Sequence, residues 1–255
     1  MNNHIVTERC KVIRGIAKQS LKDNWFKMAL IAALFMILSM GVGNVLDYFF
    51  NYESTLDING ELVNTNVAFG SGIYNFVLDG PFQLGLAMVC LTYLRTRKPD
   101  GSLVFEGFGH FGKAFLLNLL ILIKVFLWTL LFIIPGIVAA FKYSMAYYVM
   151  CDHPEFSASE CIRESKRIMT GNKAKLFWLE LSFIGWIILA GLPSGIFESL
   201  YMADIISMPE SDIVTLLVKW ALMIPICFVF IYIEMANTAF YDIAIEKLVP
   251  INRAD

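Results

Sequence analysis

Apolar positions in this chain come in long blocks separated by short polar stretches. The longest block, residues 116–150, reads LLNLLILIKVFLWTLLFIIPGIVAAFKYSMAYYVM and is nearly all apolar, with Lys124 and Lys142 inside it. A helical bilayer crossing needs about 20 residues, so the block is too long for one. Pro135-Gly136 divides it. Proline lacks an amide donor and pushes the preceding residue, Ile134, away from helical geometry. The pattern therefore predicts a helical hairpin with Ile134-Pro135-Gly136 at its tip and spans at about 114–134 and 136–151. The second is short, about 16 residues or roughly 24 Å at helical rise, so a re-entrant segment is the alternative. The other blocks predict spans at about 25–46, 76–94, 176–200 and 213–239. The expected fold class is an all-α membrane protein, with about six transmembrane helices in three hairpins plus amphipathic cytoplasmic surface helices.

Two polar stretches have helical periodicity. In residues 4–23, Ile5, Val6, Val12, Ile13, Ile16, Ala17 and Leu21 alternate with Arg9, Lys11, Arg14, Lys18 and Lys22. This basic amphipathic segment is predicted to lie on the inner membrane surface, its cations towards anionic lipid heads. In residues 158–170, Ala158, Cys161, Ile162, Ser165, Ile168 and Met169 trace one face, Ser157 and Glu160 form a capping box, and Gly171 supplies the stop. Elsewhere Asn59-Gly60 between apolar residues signals a β-hairpin turn. Asp79-Gly80-Pro81 interrupts the second block, so residues 73–79 read as an outer turn. Residues 103–113 read as an interfacial loop, Gly191, Pro193 and Gly195 as a kinked outer half of the fifth span, and Pro225 as the middle of the sixth.

Composition agrees with this pattern. The chain is 58% hydrophobic and 16% charged, against roughly 25% charged in soluble domains. No polar stretch is long enough for a core of its own, so residues 1–255 are expected to form a single polytopic membrane domain. Charge distribution sets its orientation. All but three of the 20 lysines and arginines fall in 1–27, 95–113, 152–175 and 245–255. Segments 47–80 and 203–212 hold acids, among them Asp204, Glu210 and Asp212, but no Lys or Arg. The positive-inside rule places the first set and both termini in the cytoplasm. Placing 152–175 inside requires two crossings from 114 to 151. Trp25 reads as an interfacial anchor, and the first apolar run as a retained span, since no small-x-small cleavage site follows it. Cys10, Cys90, Cys151, Cys161 and Cys227 are scattered, so no disulfide framework is expected.

A weak internal pattern accompanies the hairpins. Asn24-Trp25-Phe26-Lys27 resembles Asn172-Lys173-Ala174-Lys175, and Pro81 to Tyr93 has the spacing of Pro135 to Tyr147. More specific is the stretch from 130 to 186. Ile134-Pro135-Gly136-Ile137, Tyr143-Ser144-Met145, Asp152 with Pro154, Ser165, Met169 with Gly171, and Leu181-Ser182-Phe183-Ile184-Gly185-Trp186 resemble the signature of the bacterial domain-of-unknown-function 975 membrane proteins. Ala239-Phe240-Tyr241 also fits. The resemblance implies an integral protein of the bacterial cytoplasmic membrane with no assigned activity, and it supplies no catalytic residues.

Ionisable residues within the predicted spans are the strongest pointers to a site, because a charge there is costly unless paired or hydrated. Lys124, Lys142, Glu180 and Glu234 make up the candidate intramembrane polar site; paired, they would serve as structural glue. Glu198 and Lys219 sit nearer the outer surface and can snorkel. Asp152-His153-x-Glu155 has no matching second pair, so no metal is expected, and no catalytic or nucleotide-binding motif is present. Ser165, Ser182, Gly185, Ser194 and Gly195 read as helix-contact positions. The sequence thus predicts a non-enzyme with no cofactor, whose partners are membrane lipids and other membrane proteins, not nucleic acid. A small-molecule or lipid transporter is the alternative.

Overall fold

The computed structural model describes residues 4–49, 51–58, 61–203, 205–206 and 213–248. The Asn59-Gly60 turn and Asp204, Glu210 and Asp212 lie outside these residues. The described residues are largely helical. In chain order the α-helices are α1 (Cys10–Leu21), α2 (Trp25–Met36), α3 (Val42–Phe49), α4 (Phe69–Thr96), α5 (Leu103–Glu106), α6 (Phe111–Leu131), α7 (Ile133–Tyr143), α8 (Ala146–Asp152), α9 (Ala158–Ile168), α10 (Lys173–Leu181), α11 (Ile184–Met202), α12 (Ile213–Leu222) and α13 (Ile224–Ala244). One antiparallel pair, β1 (Asn51–Ile58) and β2 (Glu61–Ala68), joins α3 to α4. Its register runs from Asn51 opposite Ala68 to Ile58 opposite Glu61.

Counted through their breaks, five helices are long and apolar enough to cross a membrane: Gly70–Thr96, Leu103–Leu131, Ile133–Asp152, Lys173–Met202 and Leu217–Ala244. Trp25–Ser39 is also apolar, and a π-helical turn at Ile37–Gly41 lies between α2 and α3.

The chain divides into two compact units, each built from distant parts of the sequence. The first comprises Met1–Ala33, Thr92–Pro99 and Arg167–Asp255. Here α1 packs along α13 and touches α10, and α13 also meets α10, α11 and α12. The apolar face formed by Ile13, Ala17 and Leu21 of α1 is fully buried. That face is covered by protein, and Lys11, Lys18 and Lys22 stay exposed. Trp25 likewise packs on Tyr232 (5.7 Å, edge-on) and Phe228 in this unit.

The second unit comprises Leu34–Leu91 and Asp100–Lys166. In it α7 packs along α6. The break between them is Phe132, in extended geometry (φ −160°, ψ 152°), three residues before the predicted tip at Pro135. Pro135 sits in the first turn of α7, where its missing N–H costs nothing because that donor has no helical partner. Gly136 lies against Thr129, and a side chain at this position would press into it.

Two further expectations are corrected, at residues 79–81 and 103–113. Asp79-Gly80-Pro81 does not interrupt the chain: α4 runs through it with Pro81 inside, and starts at Phe69 instead of 76. Gly80 lets α4 approach the backbone of Ala114 on α6, where an added Cβ would lie 2.9 Å from the Ala114 carbonyl carbon. Residues 103–113 are helical, as α5, a 3-10 turn and the start of α6. Pro193 sits inside an unbroken α11, the break in that span falling at Ser182–Phe183. Pro225 starts α13 after a break at Met223.

The helix predicted over residues 158–170 is α9. Its predicted face is buried from Ala158 through Met169. At its start the Ser157 N–H and O–H both donate to Glu160 Oε2 at 2.8 Å, and the Glu160 N–H donates to Ser157 Oγ at 3.3 Å. Those bonds hold the Glu160 carboxyl below the usual carboxylate range. Gly171 ends the segment at φ +87°, a left-handed geometry that glycine adopts without strain.

Candidate functional site

The structure distributes the four predicted site residues between the units. Lys124 lies on α6 and Lys142 on α7 in the second unit; Glu180 lies on α10 and Glu234 on α13 in the first. Each unit therefore holds two members of like charge. The Lys142 ammonium sits 6.0 Å from the ring centre of Trp128 and 5.7 Å from that of Tyr143, within cation–π range. Lys124 and Glu180 are half-buried. Nearer the helix ends, Lys219 pairs with Glu198 at 3.5 Å and lies 5.3 Å from the Tyr201 ring centre.

A polar cluster that sequence reasoning missed lies in the second unit. Asp79 and Gln83, one turn apart on α4, meet at 3.4 Å, with the Gln83 amide donating to Asp79 Oδ1. Asn118 of α6 is a further side-chain hydrogen-bond partner of Asp79. The Tyr147 hydroxyl of α8 donates to Asn118 Oδ1 at 3.1 Å. Three side chains, Gln83, Asn118 and, through Asn118, Tyr147, thus gather around the Asp79 carboxylate, whose bonded partners are neutral amides. The i, i+4 spacing of Asp79 and Gln83 was available in the sequence. It was hidden because Gly80-Pro81 suggested a break at that point.

Polar groups also gather at the helix breaks. A break in an apolar helix frees backbone donors and acceptors, and in a bilayer these must find partners within the protein. The Tyr74 hydroxyl donates to the carbonyl of Leu38 in the π-helical turn at 2.5 Å. At the α7–α8 break, Ser165 of α9 is fully buried, accepts from the Met145 N–H at 3.2 Å and donates to the Lys142 carbonyl at 3.1 Å. At the α10–α11 break, Arg14 of α1 donates to the Ser182 carbonyl at 3.1 Å.

Further polar contacts bind the ends of the first unit together. Asn172, fully buried, accepts from the Val6 N–H at 2.8 Å and donates to the carbonyls of His4 at 2.9 Å and Ile168 at 2.8 Å. A single amide side chain thus holds the extended segment before α1. The Arg95 guanidinium grips the Asp242 carboxylate through two bonds, Nε to Oδ2 at 3.2 Å and an η nitrogen to Oδ1 at 2.6 Å, and that carboxylate is 3% exposed. The Tyr93 hydroxyl donates to the Ser20 carbonyl at 2.7 Å in the last turn of α1.

Among the described residues no group of three or more His, Cys, Asp and Glu side chains is placed to hold a metal ion. Cys161 is buried in α9, and burial pushes its thiol up to about 11.

These features define a predominantly helical protein with several membrane-length apolar helices and polar contacts concentrated at their breaks. The chain belongs to the family described as "Protein of unknown function (DUF975)", which it matches over residues 8–142 and 130–247. No curated protein and no solved structure matches it.

Proposed function

We propose that this is a multi-pass integral protein of the bacterial cytoplasmic membrane, with six crossings in three hairpins and both termini in the cytoplasm. It acts as a non-enzymatic scaffold or accessory protein through contacts with lipids and other membrane proteins. The observation that carries this reading is the exposed apolar surface of its long helices. Leu127, Leu130, Leu131, Ile133 and Ile134 around the α6–α7 break are 58–75% exposed, and Trp186, Ile187, Ile188 and Leu189 on α11 are 49–60% exposed. Soluble monomers rarely carry contiguous apolar patches beyond a few hundred Å², so lipid or protein partners are the natural cover.

The charge bias supports the orientation. Single cysteines at Glu155 and Lys166, both exposed, are placed in a variant lacking the five native cysteines. In intact cells an impermeant maleimide should leave both unlabelled until the membrane is opened. Labelling from outside overturns the topology.

The second reading is a small-molecule or lipid transporter, favoured by Asp79, Gln83, Asn118 and Tyr147 converging within membrane-length helices. An intramembrane carboxylate held only by neutral partners is a common element of ion and substrate pathways. The two readings separate in proteoliposomes tested against a panel of small solutes and fluorescent lipids. No uptake by the unmodified protein favours the scaffold. Uptake abolished in a folded Asp79→Asn variant, or in Lys124→Gln, Lys142→Gln, Glu180→Gln or Glu234→Gln, favours transport.

A further inference from the structure

We infer that the first unit holds one anionic phospholipid, an acyl chain lying in the cleft between α11 and α13 and the phosphate at the basic ridge of α1. The inference rests on the membrane reading above and adds a specific ligand to it.

The cleft is about 280 Å³ and almost wholly apolar, lined by Ile187, Ala190 and Gly191 of α11 and by Val229, Phe230 and Ile233 of α13. Both helices belong to membrane-length segments. The volume is at the low end for small-molecule sites. It is too narrow for a partner helix, whose diameter with side chains is about 10–12 Å, and suits a single hydrocarbon chain.

One end of the cleft has a charged rim. Phe183 lies one turn before Ile187, and Tyr232 is next to Ile233; their rings meet edge-on at 4.9 Å. The Arg14 guanidinium sits 5.8 Å from the Phe183 ring centre, and the Arg14 carbonyl accepts from the Tyr232 hydroxyl at 3.2 Å. One of its η nitrogens is committed to Ser182, while its Nε is buried with no hydrogen-bond partner among the described residues. Arg14 is not alone. Lys11, Arg14, Lys18 and Lys22 recur at i, i+3, i+7 and i+11, so they share one face of the helix. The three lysines are exposed, and α1 contains no acid. An apolar cleft with Arg14 at its rim, on a helix face that also carries three exposed lysines, complements a molecule with a hydrocarbon tail and an anionic head, and in a bilayer that molecule is an anionic phospholipid.

The test uses the full-length protein in mild detergent, offered dioleoyl phosphatidylglycerol or dioleoyl phosphatidylcholine and read by native mass spectrometry. One phosphatidylglycerol per chain should be retained about tenfold over phosphatidylcholine. Lys11→Gln with Lys18→Gln, both at exposed positions, should erase most of that preference; Arg14→Gln, checked for folding by its melting temperature, should do the same. At Gly191 an added Cβ meets nothing within 4 Å, so Gly191→Leu can fill the cleft and should lower retention of both lipids about tenfold with the melting temperature unchanged. Equal retention of the two lipids, unchanged retention in a folded Gly191→Leu variant, or a co-purifying protein in place of lipid overturns the inference. Because the cysteine-labelling experiment scores the topology separately, a correctly inserted protein without lipid preference refutes this site alone.

Discussion

Single side chains carry much of the tertiary specificity here. Ser165 meets both polar groups freed at the α7–α8 break. Ser165→Ala leaves the Met145 N–H buried without its partner, which costs about 1–3 kcal/mol, measurable as a lower melting temperature in detergent. A serine on the buried face of an amphipathic helix reads from sequence as a small contact residue. Nothing in its local pattern says which distant carbonyl it will meet. Glu160 was legible, because its bonds run to Ser157, three residues away. Its folded pKa lies below the unfolded value, so its contribution to α9 is complete above about pH 4.3, the ordinary glutamate value, and is lost as the pH falls through the lower folded value. Amide exchange at the start of α9 should accelerate in that acid window, and Glu160→Gln should remove the pH dependence.

At the scale of elements, the apolar blocks located the helices well and their interruptions poorly. Proline and glycine suggest interruptions at residues 79–81 and 134–136 and a kink at 191–195. The chain instead breaks at Phe132, Ser144–Met145, Ser182–Phe183 and Met223. Proline is tolerated inside an apolar helix where packing compensates and in a first turn where its amide is not needed. A true break forms where another element offers partners for the freed backbone, and that depends on residues far away in sequence. Gly136 shows the other role, of close approach. Gly136→Leu should overpack the α6–α7 contact at Thr129 and lower stability by about 1–3 kcal/mol, a loss visible in thermal unfolding. The same substitution at Gly185, where an added Cβ meets nothing within 4 Å, serves as the control.

On the scale of the whole molecule, helices α2, α4 and α9 each begin in one compact unit and end in the other, so neither unit is a continuous segment. The first unit is tied across its widest sequence gaps by Asn172 with residues 4–6 and by Arg95 with Asp242. Arg95→Ala would leave the Asp242 carboxylate buried without its cation, a change worth about 3 kcal/mol or more. Restoring part of the lost melting temperature with Asp242→Asn in the same chain would attribute the loss to the stranded charge. The sequence by itself determined the helical class, the membrane-length apolar segments, the amphipathic character of α1 and α9 and the resemblance to the family. Hydrophobic period, cap chemistry and charge bias are local quantities that can be read in order along a chain. Only the tertiary structure decided that the apolar face of α1 is covered by α13, that Asp79 is held among Gln83, Asn118 and Tyr147, and that Arg14 stands at the rim of a cleft. Each of these depends on pairing groups tens to hundreds of residues apart, and that choice is made by packing complementarity, which no local pattern records.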